Sequence, residues 1–130
     1  MIEPIDFLNF SEKLLDGTGG EIVIRNSISR AYYYVFHHVR ENYEKQLEKF
    51  KKKLRRDTGK YFNDHIVVVK FFENVGERNL ASRIHSLHVE RNRADYDLWR
   101  NFEGDTAEEF ITDVKTFIYD FNYFRNSSRT

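Results

Sequence analysis

From Glu21 to Phe50 the chain runs without a proline or a glycine, while apolar residues return at Ile24, Ile28, Ala31, Tyr32, Val35, Phe36, Val39, Tyr43 and Leu47. Spacings of three and four place them on one side of an α-helix; a strand would scatter them over both of its faces. Such a strip constrains the fold strongly, because a helix of roughly 45 Å, at 1.5 Å per residue, buries one side only against other long elements. The expectation is an all-α protein.

The remaining segments follow the same period. A first helix opens at Ile5 or Asp6, with Phe7, Phe10, Leu14, Leu8 and Leu15 as its apolar side, and Gly17-Thr18-Gly19-Gly20 stops it. A third begins at Asn63 after Gly59, carries Ile66, Val67, Val69, Phe71 and Phe72 on nearly every side, and stops at Gly76. Valine-rich runs also suit strands, but the glycine stop and the helical neighbours favour a helix. A fourth helix spans about Asn79 to Asp97. The fifth has Thr106 and Glu109 at capping-box spacing, then Ala107, Phe110, Ile111, Val114, Phe117, Ile118, Phe121 and Phe124 as its stripe. Asn126 to Thr130 reads as a frayed tail. Neither repeat nor linker divides residues 1–130, which read as a single domain.

The fourth helix conflicts with its own pattern. Leu80, Ile84, Leu87, Arg91, Ala94 and Leu98 share one face, so Arg91 stands where the leucines mark the interior. Asp95, four residues on, can pair with its guanidinium, and Asn92 and His88 lie on the adjoining strip. The cluster is either a satisfied structural ion pair or a site. Elsewhere Lys49, Lys51, Lys52, Lys53, Arg55, Arg56 and Lys60 surround one acid, Asp57, while Glu103, Asp105, Glu108, Glu109 and Asp113 gather at the start of the fifth helix. Cations at a helix C-terminus and acids at an N-terminus suit the helix dipole, and the basic run is also long enough to hold phosphates.

Composition narrows the class. Lys+Arg and Asp+Glu both number 21, so overall charge does not argue for nucleic acid, and the absence of cysteine excludes a disulfide scaffold or thiolate zinc site. Met1-Ile2-Glu3-Pro4 lacks the basic and apolar regions of a signal peptide, and no apolar run suits a bilayer, so a soluble, cytoplasmic protein is expected. His85 and His88 share a face without an evident third ligand, and Gly17 to Gly20 lacks the features of a phosphate loop; no metal or cofactor is expected. His37, His38 and His65 read as structural.

Ser29-Arg30-Ala31-Tyr32-Tyr33-Tyr34-Val35-Phe36-His37, His65 with the apolar run to Phe71-Phe72, and Arg91-Asn92-Arg93-Ala94-Asp95-Tyr96 come in that order along the chain. Together they resemble the HEPN domain, closest to its small stand-alone prokaryotic branch with Ser-Arg-x-Tyr-Tyr and Arg-x-x-Ala-Asp-Tyr patterns. The resemblance implies an up-and-down bundle of four to five helices, commonly a homodimer. It also implies a toxin–antitoxin or defence setting, often beside a minimal nucleotidyltransferase partner, and in many members metal-independent RNA cleavage. The ribonuclease branch places a His four to six intervening residues after the Arg, where this chain has Tyr96, Asp97 and Leu98. Cleavage through the 2′-hydroxyl needs a proton carrier near pKa 7 and a cation for the phosphorane.

Two functions follow as expectations. The favoured one is an RNA- or nucleotide-binding or regulatory partner module, dimeric through the fourth helix. The alternative is an endoribonuclease using Arg91, Asn92, Asp95, Tyr96 and His88, with His88 reaching Arg91 across a two-fold axis. Lys51, Lys52, Lys53, Arg55, Arg56 and Lys60 would hold RNA phosphates.

Overall fold

The structure, a computed structural model, describes residues 1–17 and 19–127. Among these residues there are six α-helices and no strand: α1 Pro4–Leu15, α2 Glu21–Asn42, α3 Glu44–Thr58, α4 Asp64–Asn74, α5 Arg78–Tyr96 and α6 Gly104–Ser127. The central helix is α2, which packs on α1, α5 and α6 and buries Ile28, Ala31, Tyr32, Val35, Phe36 and Val39. Against it α1 comes close through two small residues. The Ser11 hydroxyl donates to the Ser27 carbonyl at 2.7 Å and the Ser27 hydroxyl to the Ser11 carbonyl at 2.9 Å, so both buried hydroxyls are satisfied.

The long second helix expected from the sequence is two helices, which raises the count above the expected four to five. Tyr43 leaves the helical region (φ −129°, ψ 29°), its N–H shared between the carbonyls of Val39 and Arg40. Beside it the Asn42 side-chain amide donates to the His38 carbonyl at 2.8 Å, a local bond that competes with the helical ladder. The physical reason for the break is length. With 24 residues, α6 spans about 36 Å, and an unbroken helix to Phe50 would overhang it. At the bend the Tyr43 ring packs near Phe71, Phe121 and Phe124, and α3 folds onto α4 with Leu47 buried. That burial stabilises by about 2 kcal/mol.

Helix ends confirm some sequence signals and correct others. Asn63 caps α4, its side chain accepting from the Ile66 N–H at 3.0 Å, and Gly59 (φ 69°) and Gly76 (φ 83°) take the left-handed conformation just beyond α3 and near the end of α4. Thr106 is not the cap of α6. The Glu103 carbonyl accepts from Thr106 and Ala107, so the helix starts at Gly104 and Thr106 lies inside its first turn. Leu98 does not continue the inward stripe, because α5 ends at Tyr96 and turns Leu98 into solvent. The expected frayed tail also starts too early: Asn126 and Ser127 are helical, and 128–130 lie outside the described residues.

Candidate functional site

Arg91 sits where α5 faces α2, and its guanidinium is engaged from several directions. One terminal nitrogen donates to the Tyr33 hydroxyl at 2.9 Å and the other to the Asn92 side-chain oxygen at 3.2 Å. Its Nε lies 2.8 Å from Asp95 Oδ2, but the N–H is not aligned on that oxygen, so this contact is ionic attraction rather than a hydrogen bond. The Ser29 hydroxyl donates to the same carboxylate oxygen at 3.3 Å, and the Tyr33 ring centre is 5.2 Å from the guanidinium carbon. Only 12% of the Arg91 side chain and 23% of Asp95 is exposed, which sequesters the charge instead of presenting it.

Two imidazoles adjoin this pair within the same chain. His88 and His65 stack at 4.4 Å with their planes 11° apart, and Tyr32 lies against both, its hydroxyl 2.7 Å from His65 Nδ1. The Asn92 amide links them to Arg91: its oxygen accepts from the guanidinium, which leaves its nitrogen facing His88 Nε2 at 3.5 Å. A ring nitrogen in that position acts as an acceptor, as in a neutral imidazole. Burial and the neighbouring His88 and Arg91 push His65 down to about 4. His88 is lowered for the same kind of reason, burial first and then Arg91 and His85. Burial also holds the Tyr32 phenol above its ordinary range.

Of the residues singled out from sequence, Arg91, Asn92, Asp95 and His88 therefore meet, while Tyr96 is 71% exposed at the end of α5. Tyr32, Tyr33, Ser29 and His65 belong to the same cluster and were not among the predicted site residues. The Ser-Arg-x-Tyr-Tyr motif was the signal for three of them. Among the described residues no group of three or more His, Asp or Glu side chains is placed to share a metal ion.

The basic run lies on α3 and just past its end. Lys49, Lys52, Lys53 and Arg56 fall at positions i, i+3, i+4 and i+7, and with Arg55 they line a groove between α3 and α4 that includes Phe50, Phe71, Gln46 and Asn74. No acid is among these lining residues. Lys51 differs. Its ammonium donates to Asp64 at 2.7 Å, which raises the Lys51 pKa and lowers that of Asp64. Arg55 stacks over Tyr61 at 4.0 Å, and Lys60 is exposed beyond the helix.

Another arginine, Arg25, is buried and carried no sequence signal. Arg25 on α2 donates to the carbonyls of Ala94 (2.8 Å), Asp97 (3.1 Å) and Arg100, and its guanidinium lies 4.6 Å from the Phe102 ring centre. Glu21, one turn earlier, accepts from the Phe102 N–H at 2.6 Å. Together they close the C-terminus of α5, where the last-turn carbonyl of Ala94 has no intrahelical partner, and they fix residues 97–102 beyond it.

The chain matches no protein-family model, no curated protein and no solved structure. Among the described residues no helix is long and apolar enough to cross a membrane.

Proposed function

We propose that this protein is a HEPN-like, homodimeric RNA-binding partner module that holds RNA by its phosphates without cutting it. In the setting that the resemblance implies, it works in a toxin–antitoxin or defence system beside a minimal nucleotidyltransferase. The observation that carries the reading is the α3–α4 groove, where five cations surround an aromatic floor with no acid among the lining residues. Cations on one helical face suit a phosphate backbone, and a half-buried aromatic such as Phe50 suits a base. Binding is favoured over cleavage because Arg91 is already neutralised by Asp95 and shielded by Tyr33, and burial lowers both adjoining imidazoles, His65 to about 4, which weakens them as proton acceptors.

Anisotropy titrations of a labelled single-stranded RNA test this. Affinity is expected to fall steeply with salt, and replacing Lys52, Lys53 and Arg56 together by Ala should reduce the slope of log K against log salt by about 2. Lys51→Ala should change it less, since that ammonium is tied to Asp64. A slope insensitive to the triple replacement removes the groove from the proposal, and sedimentation at a mass near 15.7 kDa removes the dimer. The ribonuclease reading keeps one observation in its favour, the contiguity of His88 and Arg91 through Asn92. RNA cleavage in EDTA, lost in a folded His88→Ala variant, would establish it instead.

A further inference from the structure

The outer sides of α1 and α2 form a groove remote in sequence from both the α3 cations and Arg91. Two rows at four-residue spacing border it, Asp6, Phe10 and Leu14 on α1 and Asn26 and Arg30 on α2, with Ile2 at one end. Phe10 is 51% exposed and Ile2 72% exposed, so the groove keeps apolar surface in water that α1 could have turned inward. Its charges are unequal in their commitments. Asp6 accepts from the Glu3 N–H at 2.8 Å and completes the capping box of α1. Arg30 lies 5.0 Å from the Tyr33 ring centre, and among the described residues no carboxylate pairs with it.

We propose that this groove takes an amphipathic helix of a partner protein, which seats apolar side chains on Phe10 and Leu14 and brings a carboxylate to Arg30. A third helix fits because the channel between two packed helices is what a ridge of helical side chains fills, with anchors repeating every three or four residues. The partner supplies the acid because Arg30 has no carboxylate partner among the described residues, whereas Asp6, the one acid lining the groove, is engaged at the N-terminus of α1. A second copy meeting this face through its own equivalent is the poorer occupant. In such a two-fold contact the one lining acid is Asp6, whose Oδ2 already serves its own helix cap, leaving Oδ1 alone to meet Arg30.

A displayed library of helical peptides about four turns long, selected on the intact protein and counter-selected on Phe10→Asp, tests the proposal. Enriched sequences are expected to share apolar residues at i, i+3 or i+4 and i+7 with one acid in fixed register. Their affinity should fall roughly tenfold or more for Phe10→Asp, and comparably for Arg30→Gln or for the acid-to-amide peptide. Should Phe10→Asp lose its helical circular dichroism, Phe10→Ser carries the same comparison. No enrichment, or enriched peptides indifferent to Arg30→Gln, overturns the proposal. So does self-association abolished by Phe10→Asp, or binding to phosphatidylcholine–phosphatidylglycerol vesicles abolished by it in the absence of peptide binding.

Discussion

Arg25, buried, and Arg91, mostly buried, both lie at the α2–α5 contact, yet they meet different partners. Arg25 is bonded chiefly to main-chain carbonyls of Ala94, Asp97 and Arg100, groups whose positions are set by the end of a helix and a short loop. Arg91 is held by side chains, Tyr33, Asn92 and Asp95, and through Asn92 it adjoins two imidazoles. Main-chain acceptors neither titrate nor change rotamer, so the first arginine is a strut. Side-chain partners change rotamer, and the adjoining His65 and His88 titrate, so the second cluster responds to pH and to substitution of any member.

The strut should therefore be the more costly to remove. Arg25→Ala takes a donor from the carbonyls of Ala94, Asp97 and Arg100, of which Asp97 keeps the Arg100 N–H, and is expected to destabilise by about 3 kcal/mol or more, read from urea unfolding. Arg25→Lys should recover less than half of this, because an ammonium lacks the fork that reaches several carbonyls at once. A loss below about 1 kcal/mol would mean that Phe102 and Glu21 hold residues 97–102 without help, and the contrast with Arg91 would collapse.

Asp95→Ala comes next, at about 2 kcal/mol, since it strands a guanidinium that is mostly but not wholly buried and that keeps Tyr33 and Asn92. A double-mutant cycle with Arg91→Ala should give a coupling of about 1 kcal/mol. Coupling near zero would mark the pair as solvated, and would return Arg91 to the list of cations free to meet a ligand.

The smallest effect is the dependence on pH, and of the two arginine sites it should belong to that of Arg91. His65 has a folded pKa of about 4 against an ordinary value of 6.5, and His88 is lowered too, so the unfolded chain binds protons that the folded one refuses. Their stabilising contribution is complete above about pH 6.5 and falls as pH drops toward the folded values. The urea midpoint should decline through that window, with a shallower decline in His65→Gln. An unchanged slope in that variant would place the acid sensitivity elsewhere.

Much of this could be read along the chain, and what could be read was local. Apolar period predicts the helical class, Asn63 marks a helix start by its side-chain cap and the two glycines mark ends by their left-handed backbone, and the four-residue step from Arg91 to Asp95 sets their pairing on one helix. Thr106 shows how such a signal fails: the capping pattern is present, but the Glu103 carbonyl starts the helix one turn earlier. Tertiary structure alone decided what depends on distant atoms. The break at Tyr43 follows from the height of the bundle and the aromatic pocket beside it, and the exposure of Leu98 from where α5 stops. His65 joins His88 because α4 and α5 pack side by side, and Arg25 finds its acceptors some seventy residues away. Hydrophobic period reports which side of a helix turns inward, but it does not report what will be waiting there.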